Sequence, residues 1–507
     1  MLYLKEKHET LFFFVLIFVL SVLWSFHVLN SNFIGDSWKL LTANQIFNSH
    51  KLSYWAHIFS HPNHGFVQYR PFSIFAYPFI ARFLFGIDPI GYYGVGIFLY
   101  ALSCSLLFLW IFRVLSHRLA AAFGVLVFML HPAPESLLHD MSHHFKYFIP
   151  LICLLIALIY GKKEKIKVND TFIIASLFLI SILSHEGSVT FAVVFLFYAF
   201  LDLKKFRVHH LVLFLPLITY LLIRVFIFKI PHVGFMEVDF LKIPESIFYF
   251  FNQLWLPFAV EEGGKFISIP LFLFGSLTIF LFSYFTLKRK NYTLLISFFL
   301  SLLLLLPFAS VFKHLFSNRV CWAVIFVSLF SAYLFKFIYL KKNGRIWAVF
   351  IFLILAFIFK ENGLMLLEHR FETEDFTTNV QNSFFESVEK KLDRLEKRVP
   401  VEIEVTPLSN TWVERVVLAG MIATRFPDRK FRFKEDKKRF VYSTYIMNGS
   451  YYDAVDWDET IEDRQEVWVW DPYGVKQPIR TPSEESYRII FLDNSFMKEL
   501  YLVNEAP

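Results

Sequence analysis

Apolar residues in this chain come in long runs joined by short polar or basic segments, a pattern that holds from about residue 10 to residue 360 and then stops. A helix needs about 20 mostly apolar residues to cross roughly 30 Å of hydrocarbon. The runs predict spans near 10–30, 92–115, 119–134, 145–160, 170–184, 187–203, 208–228, 266–287, 292–311, 320–340 and 345–360. The shorter ones are expected to tilt or break. The first run is too long for a signal peptide and lacks a small-residue cleavage site, so it is read as a retained span. The predicted fold class is therefore an α-helical polytopic membrane protein of about eleven spans over 1–360.

Past residue 360 the pattern becomes that of a soluble module, 361–507. Apolar positions Phe376, Val380, Phe384, Val388, Leu392 and Leu395 recur at helical spacing and predict an amphipathic helix over 375–397. Alternation predicts strands at 399–405, 440–446, 466–470 and 487–492, with a helix at 412–426 between the first two. This much chain suffices for one small α/β domain with its own core. Asp453, Asp456 and Asp458 lack the glycine of a calcium loop and are read as a solvated turn. No glycine-rich phosphate loop, catalytic triad or repeat marks the module, which is expected to recognise acceptor or shape a site rather than catalyse.

Charge orients the membrane part. The first 360 residues carry 30 Lys and Arg against 15 acids, and the remainder 20 against 28. Basic clusters lie at 162–167, 204–207, 288–290 and 341–345. Short loops rich in Lys and Arg stay in the cytoplasm. Eleven spans and a cytoplasmic N-terminus (Lys5, Lys7) put all four clusters inside and the C-terminal module outside. That solution requires that 71–86, which contains Pro78 and Arg82, lie along the outer interface or re-enter rather than cross. An ordinary crossing there would turn every basic cluster outward. The expected location is a bacterial inner membrane.

Composition adds two exclusions. With 56% apolar residues and 66 Phe, the 1–360 part reads as a lipid-embedded bundle, and no nucleic-acid partner is expected. The three cysteines, Cys104, Cys153 and Cys321, all fall inside spans, so they imply neither a disulfide framework nor a metal site.

Scarcity makes the acids of the bundle informative, because ionisable groups at membrane depth are costly and are kept for a reason. Polar residues gather on the predicted outer side: Asp36; His57, His61, His64 and Arg70; Asp88; His131 and Glu135; His139, Asp140, His143 and His144; His185 and Glu186; Lys313, His314, Asn318 and Arg319. The inner ends carry little beyond Lys and Arg. The asymmetry points to a reaction or recognition event at the outer interface, although an isolated histidine there can equally serve a local hydrogen bond.

Asp36 after the first span, Tyr69-Arg70-Pro71-Phe72, and Gly86-Ile87-Asp88-Pro89-Ile90-Gly91-Tyr92-Tyr93 resemble the opening of GT-C membrane glycosyltransferases. Within that superfamily the likeness is greatest to protein O-mannosyltransferase-type enzymes. His131-Pro132-Ala133-Pro134-Glu135 is similar to their His-Pro…Glu loop after the third span. His185-Glu186-Gly187 stands where they carry Lys-Glu, and Asn318-Arg319 where they carry an Arg at the start of a late span. The resemblance covers roughly 10–340. It departs from the family in the His before Glu186, in a spacing one residue short after His131, and in the lack of downstream tetratricopeptide repeats.

The resemblance implies transfer of a sugar, mannose in the nearest likeness, from a polyprenyl-phosphate donor to a protein, lipid or glycan acceptor. It places the functional acid at Asp36, which would serve as general base. Glu135 or Asp140 would be a second acid that orients the acceptor or holds a metal. Arg319, with Lys313 and His314 behind it, could grip the phosphate, a task suited to a guanidinium. Arg70 is a second phosphate candidate or an interfacial anchor. Glu186 would hold an arginine in place or form a structural ion pair.

No cofactor is required by these residues, but a divalent metal is compatible with them. His139, Asp140, His143 and His144 offer nitrogen and oxygen ligands within six residues, His57, His61 and His64 add a second cluster, and His57 with His61 or His139 with His143 would share a helical face. Two other classes stay open. A carrier or flippase of lipid-linked sugars would place polar residues at midplane, where this chain has mostly Phe, Leu and Ile. A non-catalytic partner in envelope polysaccharide assembly would leave the outer acids replaceable.

Overall fold

The computed structural model describes residues 2–31, 70–163, 166–199, 207–223, 292–309 and 320–341 as continuous stretches, seven strands between 401 and 492, and some single positions elsewhere. The chain divides into two compact units, Met1–Asn30 with Tyr92–Leu367, and Ser31–Gly91 with Glu368–Pro507.

The first unit is helical. Its longer described helices are α1 (Leu2–Ser25), α2 (Pro89–Leu115, which begins in the other unit), α3 (Arg118–Leu130), α4 (Ile149–Tyr160), α5 (Val168–Ser184), α6 (Phe191–Ala199), α7 (Leu215–Leu222), α8 (Tyr292–Ala309) and α9 (Cys321–Tyr339). Among the described residues, four helices are long and apolar enough to cross a membrane: His8–Asn30, Pro89–Leu115, Met141–Tyr160 and Cys321–Tyr339. The others are shorter. The expected spans at 266–287 and 345–360 lie outside the continuous described stretches, so the count of eleven is carried forward only as an expectation.

One boundary moves for a physical reason. The apolar run predicted a span over 119–134, but α3 ends at Leu130. His131 adopts extended backbone, φ −78° and ψ 129°, as a residue before proline must. A separate short helix, Pro132–Ser136, then follows. Thirteen residues of α3 rise only about 20 Å.

Packing in the first unit is governed by size. The face of α3 carrying Ala120, Ala121 and Gly124 is buried. A Cβ on Gly124 would lie 2.6 Å from the Ser328 carbonyl of α9 and 3.0 Å from Ala332. Small residues allow this close backbone approach, which is how helices associate where lipid removes the usual hydrophobic drive. Phe123 and Phe335 stack beside the contact, 4.6 Å between ring centres. The buried aromatic residues Trp110, Trp322, Tyr100, Phe108, Phe128 and Phe148 fill the centre. Side chains such as Phe12, Leu23, Phe98 and Phe172 stay exposed, as lipid-facing positions would.

Two ends of this unit differ chemically. At one, Lys336 donates to the Leu115 carbonyl, Arg113 to the Ile159 carbonyl, and Lys163 pairs with Asp170 at 2.7 Å. The other end holds His27, His131, Glu135, His139 and His185.

In the second unit, Pro71–Ala76 forms a π-helical turn leading into a helix, Tyr77–Phe85. Together they rise roughly 22 Å, less than a bilayer's hydrocarbon thickness. Tyr77, Pro78 and Ala81 are buried while Phe83 and Leu84 are exposed, which makes the segment amphipathic. Arg82 donates to the Leu41 carbonyl at 2.6 Å.

Seven strands, β1 (Val401–Val405), β2 (Phe431–Lys437), β3 (Phe440–Met447), β4 (Ser450–Asp456), β5 (Val467–Trp470), β6 (Lys476–Ile479) and β7 (Arg488–Leu492), form one sheet in the order β6-β5-β4-β3-β2-β1-β7. β1 runs parallel to both β2 and β7, and the remaining pairs are antiparallel. Pro478 is accommodated because β6 is an edge strand. Asp453 and Asp456, expected in a turn, are paired within β4 instead. Helical positions in the expected 375–397 segment bury Val388 and Leu392, and Glu389 pairs with Arg425 at 3.2 Å.

Candidate functional site

Packing of α1 on α3 builds the site. Ser21 in α1 donates to the Ile17 carbonyl and lies 3.6 Å from the Met129 sulfur near the end of α3. Both helices stop shortly after this contact, which carries the residues just beyond them into one place. His27 follows α1, and Glu135 sits in the short helix after α3.

The Nε2 of His27 is 3.9 Å from the Glu135 carboxylate. The His27 and His139 rings are 5.7 Å apart. One ligand atom from each of His27, Glu135 and His139 lies within 4.8 Å of the other two. Glu135 and His139 are buried, and although the His27 side chain is 26% exposed, its Nε2 is buried with them.

Backbone contacts fix this group. His27 Nδ1 is 3.0 Å from the Trp24 carbonyl. A carbonyl only accepts, so Nδ1 carries the proton and Nε2 presents its lone pair when the ring is neutral. The Tyr93 hydroxyl donates to the His139 carbonyl at 3.1 Å. His144 donates from Nε2 to the neighbouring Leu138 carbonyl at 2.9 Å. Two successive carbonyls beneath His139 are thereby tied to side chains. Room for the His144 ring comes from Gly96, where any Cβ would collide with it.

Several histidines, among them the candidates His131 and His185, are caps. His131 Nδ1 accepts from Ala133 N at 3.1 Å, opening the helix that carries Glu135. His185 Nδ1 accepts from Gly187 N at 2.9 Å and opens the turn before α6. His117 Nδ1 accepts from Ala120 N at the start of α3, and His210 Nδ1 from Arg207 N. Each bond satisfies an amide that the first helical turn leaves over. Burial and the nearby Lys336 charge hold His117 below the usual histidine range, as an accepting ring requires.

The other expected site residues fall into three sets. Asp140 accepts from Ser142 N at 2.8 Å and lies 3.9 Å from His143. It therefore caps a turn, and among the described residues the three-ligand group is His27, Glu135 and His139, not His139, Asp140 and His143. Glu186 lies 4.0 Å from His185, whose ring packs against Tyr147, Phe308 and Trp322. Arg70 is buried at the start of the Pro71 turn, in the second unit. Asp36, Lys313, His314 and Arg319, like His57, His61 and His64, lie outside the described residues, while Phe33 and Ser37 on either side of Asp36 are buried.

His27 was missed in the sequence because it closes an apolar run. The available signal was a polar side chain at the end of a span on the same side as the other histidines.

No protein-family profile matches this chain, and no curated sequence matches it. Among solved structures, ArnT from Cupriavidus metallidurans bound to undecaprenyl phosphate aligns with a TM-score of 0.53, at 11% identity, over 82% of this chain and 85% of its own. The Archaeoglobus fulgidus oligosaccharyltransferase in its apo form aligns with a TM-score of 0.47, at 12% identity, over 82% of this chain and 64% of its own. The ArnT likeness bears on fold alone: this chain shares the overall fold of that structure over most of both lengths.

Proposed function

We propose that this protein is an integral membrane glycosyltransferase that takes a sugar from a polyprenyl-phosphate donor at the outer face of the membrane. The observation that carries the reading is the fold match along most of both chains to a protein solved with undecaprenyl phosphate bound. Buried Glu135, held among histidines at one end of the bundle, supports it with a polar site where a phosphate headgroup and an acceptor can meet.

In the proposed reaction an acceptor hydroxyl attacks the anomeric carbon of the donor. The bond from that carbon to the phosphate oxygen breaks, and polyprenyl phosphate leaves with the electron pair. Asp36 takes the hydroxyl proton as general base, a role expected to supply about 10²–10⁴ in rate. Glu135 orients the acceptor. Arg319, with Lys313, His314 and Arg70 as further cations, stabilises charge growing on the leaving phosphate. The C-terminal module contacts the acceptor, which is a protein, lipid or glycan.

Proteoliposomes holding the full chain and a labelled polyprenyl-phosphate hexose test this. Formation of a labelled product with release of polyprenyl phosphate is expected once acceptor-containing membrane extract is supplied. Donor that crosses the bilayer intact would instead identify a flippase, and donor left untouched would favour the non-catalytic role.

A further inference from the structure

We propose that His27, Glu135 and His139 form a binding site for one divalent transition-metal ion. The three residues arrive from two separate segments, one after α1 and one after α3, yet their ligand atoms converge to within 4.8 Å. Ligands on a tetrahedral zinc-type ion, each about 2.0–2.1 Å from the metal, lie roughly 3.3 Å from one another. His27 and Glu135 are at 3.9 Å already, so side-chain rotation of under about 1 Å completes the contraction there.

A second observation concerns tautomer. Histidines that ligate metals nearly always donate their other ring N–H to a carboxylate or carbonyl. His27 makes that bond to the Trp24 carbonyl at 3.0 Å, which leaves the unprotonated Nε2 as the nitrogen on the Glu135 side. The capping histidines show the opposite arrangement, with Nδ1 accepting an amide proton. His27 is thus set apart from His131 and His185 by the direction of its hydrogen bond. The clamped Leu138 and His139 carbonyls give the third ligand a fixed base.

Donor chemistry selects the ion. Two imidazoles and a carboxylate suit zinc, cobalt or manganese better than magnesium or calcium, which take mostly oxygen ligands. Three protein ligands leave a fourth position for water or substrate, the arrangement of reactive rather than structural sites. Its use in sugar transfer, by accepting a phosphate oxygen of the donor, rests on the transferase reading above. Metal binding itself does not.

The test uses tag-free full-length protein in detergent, stripped with chelator and titrated with Co(II) alone. Wild type is expected to bind one Co(II) per chain with the visible absorption of a four- or five-coordinate site. His27→Gln and Glu135→Gln should each raise the dissociation constant at least about tenfold. X-ray absorption on the zinc-loaded wild type should show two imidazoles, a readout that stands even if a variant fails to fold. Absence of bound Co(II), equal binding by folded variants, or a shell without two imidazoles would overturn the site. Sugar transfer by the stripped protein without any Co(II) binding would remove the metal and leave the transferase. A Co(II) site with no donor consumption would do the reverse.

Discussion

His27 and Glu135 stand 3.9 Å apart, imidazole Nε2 to carboxylate oxygen, at the ends of two helices that are far apart in sequence. The pairing follows from the seam between α1 and α3, where Ser21 meets Met129. Replacing Ser21 by Leu should overfill that seam, cost about 1–3 kcal/mol, and separate the two site residues. Thermal unfolding in detergent reads the first effect. Loss of Co(II) affinity reads the second.

His131 is expected to act through geometry alone. His131→Ala removes the acceptor for Ala133 N and should cost about 1 kcal/mol, whereas His131→Asn supplies a replacement cap and should lose much less. Unfolding temperatures of the two variants distinguish them. Equal losses would show that the ring itself, not its capping nitrogen, is needed.

Gly96→Ala should disturb the site from a distance, because a Cβ there meets the His144 ring that holds the Leu138 carbonyl. Overpacking of this kind costs about 1–3 kcal/mol. His144→Ala opens the space, so the double variant should recover part of the loss. A double-mutant cycle on unfolding free energy measures the coupling.

The sign of one pH effect follows from His117. Its pKa is lowered in the folded protein by burial and by Lys336, so folding favours the neutral ring that caps α3. The group's stabilising contribution is present above the ordinary histidine value of about 6.5 and is lost as pH falls below it toward the lowered folded value. Wild type should therefore lose unfolding temperature more steeply between pH 7.5 and 5.5 than His117→Asn, whose cap does not titrate.

How far the sequence could be read depended on how local each signal was. Long apolar runs located α2, α4, α5 and α9 to within a few residues, since lipid burial is written into every position of a span. Pro132 gave notice of a break after His131, but the apolar content of Val125 to Met129 drew the predicted span past it. β2 was missed because Arg432, Lys434, Glu435, Asp436 and Lys437 hide the alternation of Phe431 and Phe433. β4 looked like an acidic turn, yet its residues pair along β3 through Tyr451, Tyr452 and Val455. Seating β1 between β2 and β7 depends on parallel partners remote in the chain, which no local pattern encodes. The site divides in the same way. Glu135 and His139 were legible as polar residues after a span, while their partner His27 became visible only when α1 was placed against α3.

Membrane sidedness is checked separately. The basic clusters at 162–167, 204–207, 288–290 and 341–345 predict that a reporter fused after Lys360 is extracytoplasmic, and that cysteines placed at Phe66 and Asp88 both label from outside. A cytoplasmic reporter, or labelling of Asp88→Cys only from within, would make 71–86 a crossing segment.

The most direct measurement compares wild type with Asp36→Asn in proteoliposomes charged with a polyprenyl-phosphate hexose and acceptor. Asparagine keeps the size and hydrogen bonding of aspartate but cannot take a proton, so transfer should fall by roughly 10²–10⁴ while the unfolding temperature stays at the wild-type value. Arg319→Ala, measured alongside, should weaken both donor binding and turnover. Undiminished transfer by the Asp36→Asn protein would contradict the assignment of its base, and donor left unconsumed by wild type would contradict the transferase itself.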